Sequence, residues 1–174
     1  FDYAFGESGW YVGNWNSSVD WLSGNSIESD LYGGYKATAG AIGYDLGVLT
    51  YQYPTNRLNP NANTTEIYGA LTYGPVTGKL SYALTNLFGN YNFATNEKTS
   101  GSWYFDLSGS FDLGSGFSVV PHVGYQKVAK IANASYADSA FVANPDPGHR
   151  TFQRLNRAEY RASVKELLGL DVDA

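Results

Sequence analysis

The chain carries two histidines, His122 and His149, and no cysteine. Thiolate catalysis, cysteine-ligated metal and disulfide staples are therefore excluded by composition alone. Nucleophilic catalysis by a hydroxyl needs a base beside it and a third group to orient that base. The positions two residues either side of His122 are Val120 and Gly124, which supply no nucleophile. No GxSxG, HExxH, phosphate-loop or GxGxxG context occurs, and Asp138 and Asp146 lack the spacing of a calcium loop. These residues predict a protein that is not an enzyme and holds no metal or cofactor, with His122 satisfied by polar neighbours.

The other chemistry-bearing residues are charges, and what distinguishes them is parity. Apolar and polar residues alternate with period two, in runs at about 11–21, 29–38, 42–53, 65–73, 79–88, 103–112, 117–127 and 157–165, with partial runs at 1–5 and 170–174. Successive side chains on a strand point to opposite faces, so each run divides in two. One face is expected to carry Asp30, Lys36, Asp45, Glu66, Lys79, Asp106, His122, Arg157, Glu159, Arg161 and Lys165. The other is expected to carry Tyr11, Trp15, Leu46, Leu84, Trp103, Phe105, Leu107, Val119 and Tyr160. In the runs at 29–38, 103–112 and 157–165 every charge shares one parity.

Strand length indicates what each face meets. Globular strands usually have about 5–6 residues, whereas about 9–11 cross a bilayer at a tilt, which these runs match. No stretch approaches the ~18–20 consecutive apolar residues of a spanning helix. Only 16% of residues are charged and a further 16% are aromatic, and the net charge of -5 with no Lys/Arg run argues against nucleic acid. Trp10, Tyr11, Trp21, Tyr51, Tyr53, Tyr73, Phe88, Trp103, Phe117 and Tyr125 lie near run ends, where interfacial aromatic girdles would sit. A soluble sandwich or lipocalin-like barrel would fill its interior with branched aliphatics and turn its charges outward. Here the apolar face is rich in aromatics, and the polar face in Gly, Ser and Thr.

Connections supply an independent pattern. Short ones at 6–9, 38–41, 74–78, 114–116 and 166–169 alternate with longer ones at 22–28, 54–64, 89–102 and 128–156. The whole therefore predicts an all-β chain in which 1–174 form a single domain. That domain is an up-and-down antiparallel transmembrane β-barrel with short periplasmic turns and long extracellular loops. The first residues read as the middle of a strand, and Ala174 does not supply a terminal aromatic, so the native chain is expected to continue past both ends and to reach about ten to twelve strands.

Several segments resemble the TorF-like porin family of proteobacterial outer-membrane proteins. The likeness lies in Ser8-Gly9-Trp10-Tyr11-Val12-Gly13-Asn14-Trp15 with Ser17-Ser18-Val19-Asp20, in Glu28-Ser29-Asp30-Leu31-Tyr32-Gly33-Gly34-Tyr35, in Tyr44-Asp45-Leu46-Gly47-Val48 with Tyr51-Gln52-Tyr53-Pro54, and in Thr65-Glu66-Ile67-Tyr68. It covers about residues 8–90, with Asn86-Leu87-Phe88-Gly89 at its end, and beyond that only the barrel pattern remains. The resemblance implies a bacterial outer-membrane barrel.

On this reading the polar residues line a lumen and the apolar ones face lipid. The expected function is passive diffusion of small polar solutes through a mixed-charge channel; the alternative is a non-conducting barrel that serves as a structural or partner-binding part of a surface assembly. Expected partners are outer-membrane lipid, the solutes, and a second copy or neighbouring outer-membrane proteins. The Arg157, Arg161 and Lys165 ladder would favour anions unless acidic residues neutralise it. The 128–156 loop, with Tyr136, Phe141, Pro145, Pro147 and His149, would be a constriction, a partner contact or a mobile loop.

Overall fold

The computed structural model describes residues 1–93, 95–131 and the backbone of 135–144. In chain order the strands are β1 (Asp2–Ala4), β2 (Trp10–Ser18), β3 (Ile27–Ala39), β4 (Ile42–Gln52), β5 (Thr64–Tyr73), β6 (Val76–Ala83), β7 (Tyr91–Asn92), β8 (Glu97–Lys98), β9 (Trp103–Gly109), β10 (Phe111–Gly114), β11 (Phe117–Lys127) and β12 (Ser135–Asn144). No helix occurs among the described residues. Ten strands pair into one antiparallel sheet, and β7 and β8 make a separate small hairpin. β9 and β10 are two halves of one line broken at Ser110. Both lie along one edge of β11, and β12 takes the other.

The all-β, antiparallel, sequential arrangement is the expected one; a closed cylinder is not what the described residues form. No pairing among them joins β1 to β12, so the sheet is open. The strands expected at 157–165 and 170–174 lie outside the described residues, as do Arg157, Glu159, Tyr160, Arg161, Lys165, Pro145, Pro147 and His149.

Two-residue connections at 40–41, 74–75 and 115–116 alternate with longer ones at 19–26, 53–63, 84–102 and 128–134. Such tight hairpins need positive φ in the turn, which Gly40 and Gly74 supply at 62° and 56°. Two expected boundaries change most. The strand expected over 79–88 runs over Val76–Ala83, because Val76, Thr77 and Gly78 keep pairing with β5 up to its two-residue turn. The expected 128–156 loop is interrupted by β12, which pairs with β11 over ten residues from Ser118↔Asn144 to Lys127↔Ser135. Ala137, Ser139, Ala140 and Ala143 put small residues on both parities of that segment, which removes the alternation that marks the other strands.

Burial separates the two faces in the sense opposite to a water-soluble sheet. On the polar face Asp30 is 3% exposed, Glu66 2% and Ser108 4%. On the apolar face Leu46 is 58% exposed, Leu71 63% and Leu80 50%. Buried apolar side chains gather instead where the longer connections meet. Val19, Leu22, Tyr51, Tyr53 and Ala62 form one cluster with Trp21, Leu49 and Phe88, and Ala83, Leu87 and Val128 form a second.

Candidate functional site: the polar face of the sheet

Following the register from strand to strand arranges the polar face in rows. One row runs Lys36, Asp45, Ala70, Lys79, Asp106, Gly124, alternating in charge at four of its six positions. The next row toward the long connections runs Tyr11, Gly34, Gly47, Tyr68, Ser81, Tyr104. Beyond it come Gly13, Tyr32, Leu49, Glu66, Ala83 and then Trp15, Asp30, Tyr51, Thr64. On the other side of the charged row, Thr72, Thr77, Ser108 and His122 line up.

The tyrosine row explains why this face is rich in glycine. Tyr11 and Tyr68 lie over Gly34 and Gly47 from opposite sides, so that their rings fill the space two side chains would take. Their hydroxyls hydrogen-bond to each other, and Tyr11 Oη donates to Asp45 Oδ1 at 2.5 Å. The ammonium of Lys36 stands 5.2 Å from the Tyr11 ring centre and that of Lys79 4.2 Å from the Tyr68 ring centre, within cation–π reach. Tyr32 lies over Gly13 in the same way, with its hydroxyl donating to Asp2 Oδ1 at 2.5 Å. Tyr104 covers Gly124. Rings laid flat keep this wall shallow while presenting hydroxyls and charges from it.

At one end of the charged row, Asp106 Oδ2 sits 2.8 Å from His122 Nδ1 and accepts a 3.4 Å hydrogen bond from Tyr104 Oη. The carboxylate orients the imidazole and fixes its tautomer. At the long-connection end, Tyr53 donates a hydrogen bond to Glu28 Oε2. Burial first, and then that hydrogen bond, push the Tyr53 phenol well above its usual range.

Seven residues read from the sequence as one polar set, Asp30, Lys36, Asp45, Glu66, Lys79, Asp106 and His122, share this face, and the register joins Lys36, Asp45, Lys79 and Asp106 in a single row. Leu46, Leu84, Trp103, Phe105, Leu107 and Val119 have the opposite parity and lie on the apolar side. Tyr11 and Trp15 do not join them. Trp15 is opposite Asp30 and Tyr11 opposite Gly34, so both belong to the polar face, and Trp10 and Val12 take the apolar one. The physical reason is the Tyr11 hydroxyl, which finds its partners only on the side of Asp45 and Tyr68. The expected aromatic girdle is likewise divided. Trp10, Tyr73 and Phe117 are exposed near the short turns and Tyr125 toward the other end, with its ring 5.5 Å from Trp103. Tyr51 lies on the polar face, and Trp21, Tyr53 and Phe88 pack among the long connections. Sequence reading overlooked Glu28 and the Tyr–Gly pairs; the recurring Tyr and Gly at positions that face each other across strands was the available signal.

An antiparallel sheet with a buried polar side and an exposed apolar side thus defines this protein's class. The chain belongs to the Gcw_chp family, described as bacterial proteins of unknown function, whose family model matches residues 1–149. No curated protein and no solved structure matches it.

Proposed function

We propose that this chain forms a bacterial outer-membrane β-barrel through which small polar solutes diffuse passively. The observation that carries the reading is the inverted burial: carboxylates and hydroxyls are covered while Leu46, Leu71, Leu80 and Phe105 stand open. In water such a contiguous apolar patch is rare on a monomer, whereas hydrocarbon accepts it. Strands of 9 to 13 residues, as in β2 and β3, fit the thickness to be crossed. Closure would come from a strand meeting the outer edge of β1, because an open edge has no place in lipid. The row from Lys36 to Asp106 would then line the path, with solute passage governed by width and wall charge.

The test is a planar-bilayer recording on the full chain refolded in detergent. Ohmic current steps are the expected result. A folded protein that inserts and stays silent would replace the conduit with a non-conducting barrel acting through its loops, and a protein that remains in buffer rather than in micelles would remove the membrane altogether.

A further inference from the structure

The segment that turns back at 86–90 lies over the polar face instead of projecting from the rim. Three observations locate it. Thr64 occupies the polar-face row of Asp30 and Tyr51 and is fully buried, and its Oγ1 accepts the Phe88 backbone N–H at 2.8 Å and lies 3.0 Å from the Asn86 carbonyl. The Phe88 ring packs edge-on against Tyr51 of that row at 5.0 Å, and Leu87 packs against Ala83 of the neighbouring row. The turn is also braced from behind: the Leu87 N–H donates to Thr99 Oγ1 at 3.0 Å, and the Asn90 side-chain amide donates to the Leu87 carbonyl at 2.7 Å.

Phe88 holds this place in a backbone conformation unfavourable to it. Its φ is 46°, in the left-handed region, and it is followed by Gly89 at 72°. A bulky residue there costs free energy and persists only when its surroundings over-determine it. Here the surroundings are Thr64, Tyr51, Tyr53 and the 53–63 connection, whose Pro60 carbonyl would stand 3.2 Å from a Cβ at Gly89. The strained backbone sets the Phe88 ring against Tyr53 and against Tyr51, whose row also holds the buried Asp30.

We infer that the 86–90 turn is a built-in constriction, with Phe88 as the residue that limits the size of solute able to reach the charged row from the long-connection side. The inference deepens the conduit reading and rests on it, so its test needs an arm that does not depend on current. The chain has no cysteine, and Thr77, on the polar face beyond the turn and the charged row, is only partly buried, which makes Thr77→Cys a reporter there. In full-length protein inserted in liposomes, a bulky membrane-impermeant thiol reagent added on the long-connection side should label Thr77→Cys slowly. Adding Phe88→Gly, which removes the ring and relieves the positive φ, should speed labelling by about ten-fold or more, as loosening a local cover does. Thr64→Val, which deletes the tether and keeps the strand, should do the same should the glycine variant fold poorly. In bilayers both variants should carry more current than the parent, and in liposome-swelling assays they should admit larger sugars.

Unchanged labelling and an unchanged size limit in a conducting protein overturn the constriction and leave the conduit standing. A silent parent with conducting variants supports the constriction in its closed extreme. Faster labelling with no current in any variant keeps Phe88 as a cover over the face and removes the conduit.

Discussion

Tyr32 and Gly13 face each other across β2 and β3, and a methyl group on Gly13 would run first into the Tyr32 ring and its hydroxyl. Gly13→Ala therefore has to displace that ring from its hydrogen bond with Asp2. Overpacking of this kind costs about 1–3 kcal/mol. In urea unfolding from micelles the loss should shrink toward zero when the same change is made in a Tyr32→Ala background, because neighbouring residues couple and distant ones do not. Equal losses in both backgrounds would show that the ring is not what excludes the methyl. A second residue-scale expectation comes from Tyr53, whose phenol is buried and hydrogen-bonded to Glu28 among the long connections. Its proton is held more tightly folded than unfolded, where the ordinary value is 10.0. Below that value both states keep the proton and its stabilising effect is complete. Above it the unfolded chain ionises while the folded one does not, so stability falls by about 1.4 kcal/mol for each further pH unit. Unfolding measured between pH 8 and 11 should show a decline that is shallower in Tyr53→Phe than in the parent, by the share that this one phenol contributes.

At the scale of the strands, the apolar row Leu46, Gly69, Leu80, Phe105, Tyr125 is the counterpart of the charged row on the other side. Phe105 is 41% exposed. In water, replacing a partly exposed side chain by arginine would change stability by only about 0.5 kcal/mol. In a bilayer Phe105→Arg should cost about 2–4 kcal/mol if the row lies near the midplane. Folding titrations into lipid vesicles measure the difference, with Thr77→Lys on the polar face as the variant expected to fold like the parent. Most of the strands were legible because charge and greasiness segregate by parity, as Asp30 with Lys36 or Asp106 against Phe105 show. β2 was read with its faces exchanged. Tyr11 scores as apolar in an alternation count, yet its hydroxyl needs a partner and its ring needs a glycine to lie on, and both are contributed by strands distant in sequence. β12 was missed because alanine and serine carry no preference between faces. The Phe88 turn was beyond pattern reading altogether, since what draws it inward is Thr64 and Thr99, ordinary polar residues whose role depends on three connections meeting at one end.

At the scale of the molecule, the rows of the described residues show a distribution of charge that no single strand reveals. The described polar face holds Asp2, Glu28, Asp30, Asp45, Glu66, Asp106 and Asp112 against Lys36 and Lys79. Glu28, Asp30 and Glu66 lie toward the long connections, and both lysines lie in the row nearer the short turns, where Asp45 and Asp106 stand beside them. In a conducting barrel a wall charge attracts ions of the opposite sign to its own stretch of the path. Lys79 is the position at which that effect is most directly tested, because it stands opposite Asp106 and over the Tyr68 ring. Lys79→Glu should raise the permeability of cations over anions. In a hydrated path two unit charges about 4 Å apart interact by about 1 kcal/mol, so removing the charge should alter the ratio by about five-fold or more and reversing its sign should alter it further. Lys79→Gln should fall between the two. Reversal potentials across a potassium chloride gradient read the ratio directly, and the effect should weaken as salt is raised, since a screened wall charge acts over a shorter distance. An unaltered reversal potential in all three proteins would mean that permeating ions do not pass the charged row. The row would then be a structural ladder of ion pairs and cation–π contacts, and selectivity would belong to the end where Phe88 meets Tyr51.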